Sequence, residues 1–329
     1  MLLETVDKHG LEDSLTPNKL TASAISSTAA DTAIGISNGM ANHLQVGAVL
    51  IGAGGSEYMQ ISAIVGNTIT VNRAVAGTSA NSSAASATLT VVSDAALEGA
   101  DVSGDISRPR ARKSNYTQIL KKDLIVSGTM QAVTQLGGIT DETDYQKQQR
   151  MRESLRDLEK AVILGKSLGN TLGSATAYRT MDGIITRLTT NAQSVATLTE
   201  SWLGNVLQAA WDNGGSDLDV LCVDANWKRI IDGFNTSRVR VVNEETIYRN
   251  LITTYESVFG VQRVVLSRWM PANSLLAVSS RRVHVVPLQG RSYQFIPVAA
   301  TGDAVKGMII GEYTVEVRNE EGMARMYAG

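Results

Sequence analysis

Across 329 residues the chain sets 30 Lys and Arg against 32 Asp and Glu, a formal net charge of −2, so it lacks the basic excess of a dedicated nucleic-acid binder. Hydrophobic residues make up 43%, enough for real cores, while aromatics reach only 5%, which favours β-rich packing over a large aromatic-lined pocket. Cys222 is the single cysteine, which excludes an intramolecular disulfide, and His9, His43 and His284 lie far apart with no partner at ligand spacing, so no zinc site is expected.

Residues 1–22 mix apolar and charged positions around Pro17 and read as an extended N-terminal arm. MLLETVDKHG lacks the apolar core of a signal peptide, and no run of about 18 apolar residues suggests a membrane span. The expectation is a soluble protein made in a reducing compartment. From 23 to 93 charge almost vanishes. Alternation in AIGIS, VGAVLIG, YMQISAIV, TITVNRAV and ATLTVVS predicts five or six short strands in a small barrel-like β module. Gly66-Asn67 is its clearest hairpin turn.

Residues 94–126 turn basic. Arg108, Arg110, Arg112 and Lys113 cluster, and Lys121 and Lys122 follow in a segment of strand character. Such a run can track phosphates, dock on acidic surface next door, or simply face water. Near-zero net charge and the lack of interleaved aromatics favour a neighbour contact. An extended hairpin fits the pattern.

Residues 127–196 contain a long, highly charged helix over 143–164. Thr143 and Gln146 have capping-box spacing, and Asp141, Glu142 and Asp144 suit the positive end of the helix. Tyr145, Met151, Leu155, Leu158 and Val162 form a thin apolar line, and Gly165 marks the stop. A stripe so thin cannot fill a core, so the helix is expected to lie across something else.

A second helix follows from Thr197 and Glu200, with Trp202, Leu203, Val206, Leu207, Ala210 and Trp211 as the expected buried face. Asp219–Val223 reads as a short buried strand, and Asp224 caps ANWKRIIDGF. Residues 235–250 are a polar excursion with Arg238 and Arg240. Strands are then expected around Phe259-Gly260 and in LLAVS, VHVVPL, KGMIIGEY and TVEVRN. Strand between helices implies a compact α/β domain.

No catalytic constellation emerges. G-x-S-x-G, a P-loop, H-E-x-x-H and the dinucleotide-binding glycine pattern are all missing. The glycines of GAGGS sit between strands, which does not suit phosphate cradling. A helix start explains Asp141, Glu142 and Asp144 better than a carboxylate site for a hydrolase, and Cys222 in DVLCVD reads as a small hydrophobe rather than a nucleophile.

Several blocks in order carry a family resemblance: NYTQILKKDLIVSGTMQAV, the charged helix ending EKAVILG, YRTMDGIIT, the helix ending WDNGG, VFGVQRVVLSRWMP, and TGDAVKGMIIGEYTVEVRNEEGMARM. Spread over residues 96–329, they resemble the major head proteins of tailed bacteriophages typified by phage SU-ten. The resemblance implies a Hong Kong 97-type capsid fold of α+β class, with axial and peripheral domains, a long spine helix, an E-loop and an N-arm. Carried over, 1–22 is the arm, 94–126 the linker and E-loop, 127–196 the peripheral domain with its spine helix at 143–164, and 197–263 most of the axial domain. Residues 264–329 return to the peripheral domain, and 23–93 is an inserted small all-β domain.

The implied function is a virion subunit with no enzymatic role and no cofactor. It is assembled in the bacterial host cytoplasm into pentamers and hexamers of an icosahedral head. Portal and, where used, scaffold or decoration proteins are its partners, and the enclosed double-stranded DNA meets it weakly and without sequence preference. Arg108, Arg110, Arg112, Lys113, Lys121, Lys122, Asp141, Glu142 and Asp144 are then inter-subunit contact candidates, with Glu320-Glu321 as a further acidic docking patch. An adhesin whose β module binds carbohydrate or protein is the alternative.

Overall fold

A computed structural model describes residues 7–12, 19–25, 32–101, 107, 110–133, 141–169, 173–234, 254–299 and 302–329. Arg108 and the excursion with Arg238 and Arg240 lie outside them. The chain divides into two compact units, Glu12–Ala111 and the remainder.

The smaller unit follows strand β1 (Asp7–Glu12) and contains β2 (Lys19–Ala22), β3 (Ala33–Gly35), β4 (Val49–Ile51), β5 (Tyr58–Val65), β6 (Thr68–Asn72) and β7 (Ala87–Ser93). Gly66 and Asn67 link β5 to β6, with Gly66 at φ +58°, a conformation that costs glycine little. The sheet order is β2-β7-β4-β5-β6-β3. Its two ends then meet, because Ala22 bridges Ile36 and the Ser23 N–H donates to Gly35 O at 2.8 Å. Six strands thus close on themselves, which leaves no free sheet edge. Leu20, Ile34, Leu50, Met59, Ile61, Ile69, Val71 and Leu89 fill the interior, each at most 1% exposed. This alternation puts every second residue inside, at roughly 1.5–3 kcal/mol for each large side chain buried.

One buried ion pair ties the strands of this unit to its turns. Arg73 donates to both oxygens of Glu57, at 2.8 and 2.6 Å, and to Asn81 O at 2.6 Å. The amides of Ala74 and Asn81 complete the Glu57 shell at 3.2 and 2.8 Å.

The larger unit begins again with β8 (Ala111–Tyr116), β9 (Gln118–Ser127) and a one-turn helix α1 (Gly128–Ala132), then α2 (Glu142–Leu164) and the short α3 (Ile184–Arg187). After these come β10 (Ala192–Val195), α4 (Glu200–Asp212), β11 (Val220–Val223) and α5 (Ala225–Phe234). The rest is strand: β12 (Thr254–Ser257), β13 (Gly260–Leu266), β14 (Ser274–Val278), β15 (Val283–Pro287), β16 (Gln294–Val298), β17 (Ala304–Val317) and β18 (Ala324–Ala328).

Two sheets organise them. One has six strands in the order β10-β18-β14-β11-β13-β12, parallel at β10–β18 and β11–β13 and antiparallel elsewhere. Leu203, Val206, Leu207 and Ala210 of α4 and Trp227 and Ile231 of α5 join its core. β14 is buried at all five positions, as expected for a strand covered on both faces. The other sheet is built on the 14-residue β17, which pairs with β9 along one edge and with β15 and then β16 along the other.

Several expectations are corrected. β8 and β9 are not two arms of one hairpin: they succeed each other across Thr117, one pairing with β1 and the other with β17. Of residues 264–329, β14 and β18 belong to the six-stranded sheet and β15 to β17 to the other. KGMIIGEY and TVEVRN are one continuous strand. The cap of α2 is Asp141, which accepts from the amides of Thr143 and Asp144, and Gln146 reaches Glu142 instead of the cap. The cap of α4 is Thr199 rather than Thr197. Trp202 and Trp211 are 43% and 52% exposed, so the buried face of α4 is narrower than expected. Asp224 does cap α5, accepting from Asn226 and Trp227.

Two outcomes test the smaller unit. Arg73→Ala leaves a buried carboxylate without its partner and is expected to cost about 3–5 kcal/mol; hydrogen exchange should rise in β5 and β6 and stay unchanged in β17. Burial alone would raise the Glu57 pKa from its ordinary 4.5, but the Arg73 hydrogen bonds, the Asn81 amide and the Arg73 charge outweigh it and hold it lower. The stability this group contributes is therefore complete above its unfolded-state value and is lost as pH falls through the folded one. Acid titration of the β5 and β6 amides should show that loss in wild type and not in Glu57→Gln.

Candidate functional site

A buried ionic node lies on β17 of the larger unit. Glu312 is 3% exposed and would be costly to bury alone. It accepts from Thr117 Oγ1 at 2.6 Å and forms ion pairs with Arg179 and, at 2.7 Å, with Arg291. Arg179 Nε also donates to Thr117 O at 2.7 Å. Beside it, Asn115 donates to Val315 O and Asp182 O at 2.8 and 2.9 Å, and Thr314 Oγ1 donates to Tyr116 O at 2.8 Å. Together these bonds fix the place where the chain changes partner from β1 to β17.

α2 packs across β9 and β17, with polar contacts to β9 and to the stretch around β16. Lys122 of β9 pairs with Asp157 at 2.6 Å, Tyr293 Oη donates to Ser154 O at 2.8 Å, and Lys147 stands 4.8 Å over the Phe295 ring. Of the expected stripe, Leu158 and Val162 pack on the main core, whereas Tyr145 and Leu155 are 40% and 51% exposed. At its far end Glu159 accepts from Trp269 Nε1 at 3.0 Å and Lys160 lies 4.3 Å over the same ring. The helix thus bridges both sheets.

Its C-terminus is fixed by backbone. Gly183 N–H donates to Gly165 O at 2.9 Å, and a Cβ on Gly183 would lie 2.6 Å from Gly165 N and 2.8 Å from Val162 O. The helix does stop at Gly165, at φ −52°; a Cβ there would lie 2.4 Å from Ala161 O and 2.7 Å from Met181 O, so close approach is what requires glycine.

The candidate contact residues fall in different places. Arg110, Arg112 and Lys113 are exposed, the last two on β8. Lys121 pairs with Asp123 at 3.0 Å on the outer side of β9, while Lys122 faces α2. Asp141 caps α2, Glu142 accepts from Gln146 and Asp144 pairs with Lys147, so each acid has a local role at the helix start. Glu320 is removed from the candidate docking acids. It is buried and accepts from the amides and hydroxyls of Thr189 and Thr190 at 2.6–3.3 Å. Burial works to raise its pKa, and these bonds outweigh that and lower it.

For chemistry the arrangement offers little. Among the described residues no cluster of His, Cys, Asp or Glu could hold a metal ion. Burial, with a smaller push from Glu159, raises the Cys222 thiol to about 11, which suits an inert side chain. No helix among them is long and apolar enough to cross a membrane. A shallow open cleft lies beside Ile119, lined by Gly173, Ser174, Ala177, Tyr178 and Arg179. The Glu312 node was not anticipated, although a glutamate inside the apolar run KGMIIGEYTVEV is itself a signal of a buried, partnered charge.

No curated protein matches the chain in sequence. The family model for the SU10 major capsid protein matches residues 9–328. The chain belongs to the SU10 major capsid protein family. It is thus a major capsid protein of a tailed bacteriophage and a component of the virion shell. Solved structures give likenesses of low identity. A Microbacterium phage Oxtober96 chain is 14% identical at a TM-score of 0.49, covering 70% of this chain and 81% of its own. A chain of the cyanophage A-1(L) capsid is 12% identical at 0.49, covering 70% and 84%. The family match, not these likenesses, carries the assignment.

Removing the central carboxylate tests the node. Glu312→Ala leaves two guanidiniums facing a buried gap and is expected to cost about 3–5 kcal/mol. Denaturant unfolding of the purified chain should show the lower midpoint, while the smaller unit keeps its hydrogen-exchange protection.

Proposed function

We propose that copies of this subunit assemble as rings of five and six and close into an icosahedral head around double-stranded DNA. The observation that carries the reading is the family match over residues 9–328. Physical features support it. A long helix with exposed Leu155 and Tyr145, and sheets whose outer sides carry exposed Ile119, Ile125 and Val298, suit a chain whose surface is completed by neighbours. Closed symmetry then lets many modest interfaces add up.

In this reading α2 is the spine helix, the β17 sheet the peripheral domain and the six-stranded sheet the axial domain. Glu12–Ala111 is a β module carried on the shell. The subunit is structural and has no catalytic step. Contact with DNA is weak and non-specific, as a net charge of −2 suggests. Portal and scaffold or decoration proteins would meet the same shell. The exposed basic residues Arg110 and Arg112 dock on acidic surface of a neighbour.

Electron microscopy and light scattering of the chain expressed alone should show closed shells or rings of five and six. Arg110→Glu with Arg112→Glu should abolish them while circular dichroism stays unchanged. Normal shells from that variant would sink the role given to these arginines.

A further inference from the structure

The borders of the sheets are treated unequally. The smaller unit closes on itself and has none. The six-stranded sheet ends in β10 and β12, each only four residues long. On one side of β17, β15 and β16 carry Pro287 and Pro297, which cannot donate to a further strand. β9 differs from all of these. It is ten residues long, has no proline, and among the described residues pairs with β17 alone. Its charges do little to guard it, since Lys121 is matched by Asp123 and Lys122 by Asp157.

The side chains of β9 alternate cleanly. Leu124 and Val126 are buried and Lys122 reaches α2, while Ile119, Lys121, Asp123 and Ile125 are exposed on the other face, Ile119 at 47% and Ile125 at 66%. The sequence of this stretch, Ile119-Leu120-Lys121-Lys122-Asp123-Leu124-Ile125, reads nearly the same in both directions, with the charge reversed about its centre.

We infer that β9 pairs antiparallel with β9 of a second copy across a two-fold axis at Lys122, making one continuous sheet from two subunits. This rests on the multi-copy shell proposed above and adds where two copies join. In that register Lys121 faces Asp123 of the second copy, Ile119 faces Ile125, and Leu120 faces Leu124, each pair occurring twice as an isologous contact requires. The two Lys122 side chains meet at the axis, each held by its own Asp157. A slip of one residue would set the isoleucines of one copy on the other face. Ile119, opposed to Ile125 of the second copy in this register, also lines the cleft walled by Tyr178, which is 88% exposed.

The test is a disulfide in the full chain. Directly opposed strand residues have Cα atoms about 4.5–5.5 Å apart, inside the disulfide range. Within one copy, positions 119 and 125 are roughly 20 Å apart along the strand and cannot join. Ile119→Cys with Ile125→Cys should therefore give a covalent dimer as the main species on a non-reducing gel after mild oxidation. Either substitution alone should stay at the wild-type background set by Cys222. In the cysteine pair, adding Lys121→Asp or Asp123→Lys alone should lose the dimer, and adding both should restore it. Shells with no such dimer, or dimers from the single substitutions, overturn the pairing and leave the shell reading intact. The dimer without shells or rings supports the pairing and overturns the shell. Monomers alone overturn both.

Discussion

A single buried carboxylate fixes the geometry of the larger unit. Glu312 sits where β17 is flanked on both edges, and burying its charge would be prohibitive without Arg179, Arg291 and Thr117 around it. Each of those partners comes from a different stretch. Thr117 is the break between β8 and β9, Arg179 belongs to the segment after the long helix, and Arg291 to the turn between β15 and β16. The node therefore sets the direction in which β9 leaves, and β9 in turn sets where α2 rests. An apolar cluster in the same place would tolerate several packings; a carboxylate held by Thr117, Arg179 and the charge of Arg291 tolerates few.

The two units handle the same difficulty, unpaired backbone at a sheet border, in opposite ways. Six strands closing through Ala22 and Ile36 give the smaller unit a surface with nothing left to pair. The sheet around β17 keeps a long straight border with apolar residues beside it. In an isolated protein that would be an aggregation hazard. In a family whose members form shells, an open border is a place for a neighbour, and the contrast suggests that the two units differ in what they are for.

Much of this was legible in the residues. The long charged helix, the Gly66-Asn67 hairpin, the Asp224 cap and the buried LLAVS strand all follow from local pattern, and the ordered blocks from Asn115 to Met326 carried the family. What was not legible depended on distant partners. Nothing local marks Thr117 as a break, because its partner Glu312 is 195 residues away. Asp141 and Thr143 are both competent caps two positions apart, and the choice fell to the residue whose oxygen could face two free amides. Glu320 read as surface charge because its four donors sit some 130 residues upstream. Trp202 and Trp211 were placed in the core on hydrophobicity alone, yet α4 needs only Leu203, Val206, Leu207 and Ala210 for its inner face.

The crossing of Gly165 and Gly183 has a mechanical consequence. Contact there is backbone on backbone, so it has no side chain to rearrange and acts as a stiff pivot. The helix extending from it is 23 residues long, a lever of about 34 Å. A shift of about 1 Å at the Glu142 end turns such a rod by under roughly 2°, well inside the scatter that helix packing tolerates. In the shell proposed above, a small mismatch at the outer end would be met by slight rotation about this point, resisted by the contacts α2 makes with β9.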